Sequence, residues 1–161
     1  MRIAVVSDTH SRTATIERAL GMIEQRGIEL ILHCGDIEDD DAVRLFPAHT
    51  HFVFGNCDHD RNGIRKAVVE IGATLHESFG HVEIAGKDLA FVHGDDATLL
   101  RDLIRAETFA YLFHGHTHNR KDEQVGPTRL INPGALHRAR PKTFLVLDVK
   151  TGEAETVVVE S

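Results

Sequence analysis

The chain is organised around one stretch, Phe109-Ala110-Tyr111-Leu112-Phe113-His114-Gly115-His116-Thr117-His118. Its first half is a short apolar run, which predicts a buried strand that leads directly into a loop. His116 and His118 stand two residues apart in that loop, so both imidazoles can project to one side and reach the same small volume. Gly115 is expected to let the backbone turn tightly beside them. The pattern indicates a metal site, although a histidine pair by itself also occurs on many solvated surfaces.

Three apolar runs near the start of the chain end in side chains that bind metals. Residues 1–7 lead into Asp8-Thr9-His10, residues 28–34 lead into Gly35-Asp36, and residues 52–54 lead into Gly55-Asn56-Cys57-Asp58. Each run is short and continuous, which is typical of a buried strand. Because α/β sheets hold their ligands at the carboxyl ends of strands, these side chains are expected to lie at one edge of a sheet.

The remaining segments predict helices, a hairpin and closing strands. Apolar periodicity predicts helices over about residues 15–26, 64–71 and 97–106. Short alternating runs predict an antiparallel hairpin around Gly86-Lys87-Asp88, and this hairpin leads into His93. Further strands are predicted at residues 130–131, 143–149 and 154–159.

Composition describes an ordinary globular domain. The chain has 161 residues, of which 42% are hydrophobic and 27% are charged. A chain of this size can bury about 70% of its unfolded surface, so we expect a single domain over residues 1–161. The net charge of −7 argues against long nucleic acid as a partner but is compatible with a small anionic substrate drawn to bound cations. Three basic residues lie close together in the sequence, namely Arg138, Arg140 and Lys142. We interpret them as an exposed basic turn. The alternative is that they hold a second oxygen of a bound phosphate.

The expected location is the cytoplasm. No apolar run approaches the length of a membrane span, so no membrane association is expected. Residues 1–7 are too short, and too quickly followed by polar residues, to be a targeting signal. Cys34 and Cys57 form no CxxC motif and are expected to be reduced thiols. The sequence leaves the oligomeric state open, a homo-oligomer included.

Side chains at the strand exits could bind metal ions, and there are seven of them: Asp8, His10, Asp36, Asn56, His93, His116 and His118. Seven ligands are too many for one ion with an open position and suit two ions that share a bridging carboxylate, an arrangement that hydrolyses phosphoesters. Two carboxylates against two divalent ions leave a positive excess that attracts phosphate. Imidazole and carboxylate ligands without a thiolate suit manganese, which we expect, with zinc, iron or nickel as alternatives.

Five ordered motifs resemble those of the calcineurin-like metallophosphoesterases, particularly their small prokaryotic phosphodiesterase branch. They are Asp8-x-His10, Gly35-Asp36-x-x-Asp39, Gly55-Asn56-Cys57-Asp58, His93-Gly94 and Gly115-His116-x-His118. Asn132-Pro133-Gly134 extends the resemblance toward the C-terminus. The resemblance implies an α/β fold, namely a four-layer αββα sandwich of two mixed β-sheets flanked by helices. It also implies a two-metal site at the carboxyl ends of the strands.

The resemblance further implies how the ligands are shared. One ion would be held by Asp8, His10, Asp36 and His118, and the other by Asp36, Asn56, His93 and His116. Asp36 would then bridge the two ions. The implied catalytic residues are Asn56, Cys57, Asp58 and His93, and the implied reaction is hydrolysis of a phosphodiester by a hydroxide that two metal ions activate.

The chain departs from the family pattern at three positions. Cys57 stands where many members carry a histidine that is thought to protonate the leaving group or hold the phosphate. Asp95 replaces a histidine found in many relatives, and Ala135 replaces the usual serine. None of these departures removes a ligand, but Cys57 leaves the general acid undefined.

Polar neighbours of the motifs are interpreted as supports. His33 and His114 each precede a glycine turn and are interpreted as hydrogen-bonded supports instead of ligands. Asp39 and Asp58 are interpreted as acceptors that orient imidazoles or cap a helix.

Two alternative functions use the same fold. Some relatives are similar to protein-interaction scaffolds whose metal site is degraded, so a catalytically weak scaffold is one alternative. All predicted ligand positions are intact here, which favours an enzyme. A nuclease with the same chemistry is the other alternative, and the net charge of −7 argues against it, as does the lack of an added binding domain.

Overall fold

The computed structural model describes residues 1–161, which form eleven strands and four helices. The strands are β1 (Arg2–Val6), β2 (Ile31–His33), β3 (Thr50–Phe52), β4 (Thr74–Leu75), β5 (Gly80–Ile84), β6 (Lys87–Phe91), β7 (Tyr111–Phe113), β8 (Lys121–Val125), β9 (Thr128–Asn132), β10 (Lys142–Asp148) and β11 (Ala154–Glu160). The helices are α1 (Thr13–Gln25), α2 (Asp40–Val43), α3 (Arg61–Glu70) and α4 (Ala97–Arg105). None of these helices has the length and apolar character needed to cross a bilayer.

The strands form two mixed sheets. The first has the order β11-β10-β1-β2-β3-β4. Strands β1 to β4 run parallel to one another, β10 is antiparallel to β1, and β11 is antiparallel to β10. The second has the order β5-β6-β7-β9-β8, in which β6, β7 and β9 run parallel between two antiparallel edge strands.

The alternation of side chains along β1 builds the layers. Ile3 and Val5 point to one face, where they pack in a core shared with β6, β7 and β9 of the other sheet. Ala4 and Val6 point to the opposite face, where α1, α2 and α3 cover the first sheet. Helix α4 covers the outer face of the second sheet through a smaller apolar cluster. The αββα sandwich implied by the resemblance is therefore confirmed.

The parallel strands end level with one another. In the first sheet Val6, His33 and Phe52 are aligned at the last positions of β1, β2 and β3. In the second sheet Phe91 and Phe113 are aligned at the ends of β6 and β7. The loops that follow these five strands therefore emerge at one edge of the sandwich, which is where α/β folds place their ligands.

Several predicted elements differ from the structure in their bounds. Strand β2 covers only Ile31–His33 of the predicted residues 28–34, and β3 begins and ends two residues earlier than predicted. The hairpin turn is at Ala85 and Gly86, whose φ values of 52° and 73° suit a two-residue turn, and not at residues 86–88. Strand β8 was not predicted, because its residues are almost all exposed and charged or polar.

Candidate metal centre

The loops after β1, β2, β3, β6 and β7 bring together all the side chains predicted as ligands. Asp8, Asp36 and His93 are buried at the floor of the site, whereas Asn56 and His116 are exposed at its rim. His10 and His118 are partly buried between them. A ligand can therefore approach from the rim.

One group of donor atoms surrounds Asp8. The Nε2 atom of His118 lies 3.1 Å from Asp8 Oδ1, and the Nε2 atom of His10 lies 3.6 Å from the same oxygen. Asp36 Oδ2 is also 3.6 Å from His10 Nε2. These are the four residues that the resemblance places on one ion.

A second group surrounds Asn56. The Nε2 atom of His93 lies 2.9 Å from Asn56 Oδ1, and the Nδ1 atom of His116 lies 3.2 Å from the same oxygen. Asp36 Oδ2 lies 3.2 Å from His93 Nε2. A single oxygen of Asp36 thus faces both groups, as a bridging ligand must.

The donor set fits divalent ions. Ligand atoms about 2.0–2.2 Å from an ion lie roughly 3.0–3.5 Å from one another in tetrahedral or octahedral sites, and the separations above fall close to this range. The buried Nε2 atom of His10 has no hydrogen-bond partner, although it lies between two carboxylates. A buried polar atom without a partner is unfavourable unless it coordinates an ion or a solvent molecule.

Outer hydrogen bonds orient two of the imidazoles. The Nδ1 atom of His10 lies 2.7 Å from Glu38 Oε1, and the Nδ1 atom of His93 donates to the Cys34 carbonyl at 2.8 Å. Each bond keeps a proton on Nδ1, so Nε2 is the nitrogen that can lose its proton and offer a lone pair to an ion. Glu38 was missed as a functional residue. Its only signal was its position in the Gly35-Asp36 motif, two residues after Asp36.

Asp8 is held by two donors on one oxygen. Ser7 Oγ donates to Asp8 Oδ2 at 2.6 Å, and the backbone amide of His116 donates to the same oxygen at 3.0 Å. Oδ1 remains directed toward His10 and His118. Ser7 was also missed, because a serine at the end of a strand carries no signal in the sequence.

Asp58 supports the backbone of the site. Its carboxylate accepts hydrogen bonds from the amides of Asp36 at 3.0 Å, Gly55 at 2.7 Å and Glu38 at 2.7 Å. The loops after β2 and β3 are therefore fastened to each other. Asp58 is an acceptor, as predicted, but its partners are backbone amides and not imidazoles. The other predicted acceptor, Asp39, caps α2 by accepting from the Ala42 amide at 2.8 Å.

The two histidines interpreted as supports lie outside the donor set. His33 accepts from the Gly35 amide on Nδ1 at 3.1 Å, so its Nε2 donates to Thr9 Oγ1 at 3.0 Å. His114 bonds the Gly115 carbonyl through Nδ1 at 3.2 Å. Both residues make hydrogen bonds of the kind expected of supports, although the buried Nε2 atom of His114 has no partner.

The backbone of the site is tightly constrained. Five of the predicted ligands have left-handed backbones, with φ values of 53°, 45°, 60°, 68° and 62° at Asp8, His10, Asp36, His116 and His118. Such residues are strained and cluster at functional sites. Gly115 is needed for close approach and not for a turn, because a Cβ there would overlap Ser7 Oγ and Asp8 Oδ2. The predicted role of Gly115 is corrected accordingly.

Charges within the site are strongly coupled. Burial opposes ionisation of Asp36, but hydrogen bonding and the charge of His93 outweigh it and lower the pKa of Asp36 to about 2. Burial likewise opposes the charged form of His10, but Asp8 and Glu38 raise the pKa of His10 to about 9. The carboxylates therefore attract positive charge to this volume, whether it is a proton or a metal ion.

Cys57 lies beside the donor set with its thiol protonated. Partial burial, followed by the charge of Asp36, raises the pKa of Cys57 to about 11. Its backbone amide donates to Asp36 Oδ1 at 2.8 Å, which directs the other Asp36 oxygen toward the imidazoles. Cys57 therefore has a clear structural contact with the predicted bridging ligand through its main chain.

Comparison with known proteins identifies the family. The model of the calcineurin-like phosphoesterase superfamily domain matches residues 1–152. A phosphodiesterase of Methanocaldococcus jannaschii is 27% identical over 166 positions, which cover 99% of this chain and 100% of that protein. The structure of an archaeal phosphodiesterase superposes with a TM-score of 0.90 at 26% identity, covering 98% of this chain and 99% of that one. A phosphoesterase from E. coli shares the fold, with a TM-score of 0.71 at 21% identity and coverage of 99% and 100%. The chain therefore belongs to the calcineurin-like phosphoesterase superfamily.

Proposed function

We propose that this protein is a metal-dependent phosphodiesterase that hydrolyses small phosphate diesters. The observation that carries the proposal is the position of Asp36 Oδ2, which lies 3.6 Å from His10 Nε2 and 3.2 Å from His93 Nε2. The family match and the similarity to a phosphodiesterase over 99% of the chain support the same activity. The complete donor set argues against a scaffold with a degraded site.

The ligand assignment is part of the proposal. Asp8, His10, Asp36 and His118 would hold one divalent ion, and Asp36, Asn56, His93 and His116 would hold the other. We propose manganese for both, because the set combines imidazoles with oxygen ligands and contains no thiolate. When bound, the ions would polarise the phosphoryl group and lower the pKa of a coordinated water to about 7. We further propose that residues 1–161 act as one domain, in the cytoplasm.

The chain's own residues would position the reaction. The exposed Asn56 and His116 are the side chains that an incoming diester meets first, and Asn56 offers an amide Nδ2 that can donate to a phosphoryl oxygen. Asp58 holds the backbone of Asp36 and therefore acts on the reaction through that ligand. Cys57, with its thiol pKa raised to about 11, is a poor proton donor at neutral pH.

The experiment that tests this proposal compares diesters with monoesters. Protein stripped with a chelator would be refilled separately with Mn²⁺, Zn²⁺, Fe²⁺ and Ni²⁺, and assayed on bis(p-nitrophenyl) phosphate and p-nitrophenyl phosphate. We expect the diester to be hydrolysed with the higher kcat/KM and manganese to restore the most activity. Failure to hydrolyse the diester with any of the metals would overturn the proposal.

A further inference from the structure

A cleft of about 800 Å³ opens beside the metal centre. His116 and His118 of the predicted ligand set line it, together with Arg120, Arg138 and Arg140. A volume of this size is typical of sites for small molecules. The cleft is therefore large enough for the part of a substrate that lies beyond the scissile phosphate.

The arginines of the cleft have no acidic partner. Arg120, Arg138 and Arg140 form no ion pair and no side-chain hydrogen bond, although the chain carries 25 acidic residues. Most arginines elsewhere do form such pairs with carboxylates, namely Arg18, Arg26, Arg44, Arg65, Arg101 and Arg129. Three unpaired guanidinium groups in one cleft of an acidic protein leave many N–H donors directed at solvent.

The basic turn is fixed next to the metal centre. The ring of His137 lies 4.9 Å from the ring of His10, and Arg12 Nε donates to His137 Nδ1 at 3.2 Å. Leu136 is buried and its amide bonds the Ser7 carbonyl at 3.3 Å. The segment that carries Arg138 and Arg140 is thus anchored to the strand that supplies the first ligands.

One residue of the basic turn is not available to a ligand. Lys142 Nζ lies 2.8 Å from Glu160 Oε1, so its charge is already paired. Arg138 and Arg140 also line a second cleft, together with Arg12. The side chains of Arg138 and Arg140 are exposed and unpaired, so both are accessible to an anion.

We propose that the arginine cleft binds a second phosphoryl group, so that the substrate is a phosphodiester carrying an additional phosphate beside the scissile one. This inference rests on the proposed phosphodiesterase function and names its substrate class. The planar guanidinium fork matches phosphate oxygens in a bidentate manner, which a lysine cannot do. With the scissile phosphate at the imidazoles, a neighbouring phosphate would lie among Arg120, Arg138 and Arg140.

The test uses two substrates with one leaving group. They are the 5′-(p-nitrophenyl phosphate) esters of thymidine, with and without a 3′-phosphate, assayed with the manganese-loaded full chain. Because the scissile bond is the same, the ratio of the two kcat/KM values reports on the second phosphate alone. In the wild type we expect kcat/KM to be about ten times higher, or more, for the substrate with the 3′-phosphate. In the double variant Arg138→Ala/Arg140→Ala we expect the ratio to fall close to one, because KM rises for that substrate.

Arg105→Ala is the matched control. Arg105 is an exposed arginine at the end of α4 that also lacks an acidic partner, and it lies outside the cleft. We expect this variant to keep the wild-type ratio. Equal kcat/KM values for both substrates in the wild type would overturn the inference, as would an equal loss on both in the double variant.

Calorimetry separates this inference from the proposed function. Thymidine 3′,5′-bisphosphate and thymidine 5′-monophosphate would be titrated into the manganese-loaded wild type and double variant. If neither diester is hydrolysed, the phosphodiesterase proposal fails, but a preference for the bisphosphate that the double variant loses would still support the cleft. Equal affinities of the wild type for the bisphosphate and the monophosphate would overturn the arginine-cleft inference. A third probe, in which the second phosphate is an internal diester of a dinucleotide, distinguishes a terminal phosphate from an oligonucleotide backbone.

Discussion

Asp36 is the residue on which both donor groups depend. Its Oδ1 accepts from the Cys57 amide at 2.8 Å, so an amide in its place would keep this bond and turn an NH2 group toward the imidazoles. We expect Asp36→Asn to lower kcat/KM by several orders of magnitude and to weaken the binding of both ions. Elemental analysis of the variant, together with assays on bis(p-nitrophenyl) phosphate, would measure both effects.

His33→Ala is the comparison for that experiment. His33 is buried, as Asp36 is, but its side chain bonds only Thr9 and Gly35, so its loss should affect activity much less. Equal losses in the two variants would show that ligand and support have been wrongly separated.

Cys57 predicts a dependence on the leaving group. An alkoxide leaves with difficulty unless a general acid protonates it, which is worth about 10²–10⁴-fold, whereas an aryl oxide leaves without help. We expect kcat/KM to fall steeply as the leaving-group pKa rises, and Cys57→His to raise the rate on alkyl diesters more than on aryl diesters. The measurement is a series of diesters with graded leaving groups.

If kcat/KM of the wild type did not depend on the leaving-group pKa, a residue other than Cys57 would act as the general acid. His33 is then excluded, because it is enclosed between Phe46 and Phe52 and bonded on both nitrogens. His137 would be examined first, since its ring lies 4.9 Å from that of His10.

Gly115 predicts a steric requirement of the site. A Cβ at this position would overlap Ser7 Oγ and Asp8 Oδ2, so Gly115→Ala should displace Asp8 and lower metal affinity about 10–100-fold. Gly21→Ala is the control, because a Cβ there meets nothing within 4 Å on helix α1. That variant should bind metal normally and gain about 0.5–1 kcal/mol of stability from helix propensity. Unchanged metal affinity in Gly115→Ala would contradict the steric argument.

At the scale of elements, strand β2 ends in a buried histidine that links stability to pH. Burial lowers the pKa of His33 to about 3, below the reference value of about 6.5 in an unfolded chain. The unfolded chain therefore binds a proton below pH 6.5 that the folded protein does not. The stability that neutral His33 supports is fully present above pH 6.5 and is lost progressively as the pH falls toward 3.

The pH prediction is tested with His33→Gln, which stays neutral and can still donate to Thr9. Below pH 6.5 we expect the wild type to lose up to about 1.4 kcal/mol per pH unit more than the variant. Urea unfolding of metal-free protein at pH 7 and pH 5 would measure this difference. Parallel losses in both proteins would mean that His33 does not govern the acid sensitivity.

The sequence predicts the strands and the polar side chains at their ends better than it predicts the residues that support those side chains. The apolar runs before Asp8, Asp36 and His116 are continuous, so both the strands and their polar exits can be recognised. Strand β8 carries no such pattern, since it is an exposed edge strand held by backbone bonds to β9. Glu38 could not be identified in advance, because its role depends on its distance to His10 from another loop. Ser7 could not be identified either, because its bond to the adjacent Asp8 depends on the side-chain conformation.

At the scale of the whole molecule, both sheets supply proposed metal ligands. Asp8, Asp36 and Asn56 follow strands of the first sheet, whereas His93 and His116 follow strands of the second. An ion held by both sets would favour the folded state by mass action, about 2.7 kcal/mol at a metal concentration of 100 times Kd. For a chain of 161 residues this corresponds to a rise in Tm of roughly 5–10 °C.

Calorimetric scans of chelated and manganese-loaded protein would check this rise, with metal content determined on the same samples. We expect close to two ions per chain, with hydrolysis abolished by the chelator and restored by manganese. Full activity at one ion per chain would contradict the two-ion site, and an unchanged Tm would contradict the link between the sheets.

The level ends of β1, β2, β3, β6 and β7 also bear on how the protein folds. The proposed ligands span residues 8 to 118 and come together only after both sheets have paired and packed, because the strand before each loop sets the direction of that loop. Contacts so distant along the chain form slowly. Acquisition of metal during refolding should therefore follow the recovery of secondary structure, and a partly folded chain would have no competent site at which to hydrolyse phosphoesters indiscriminately.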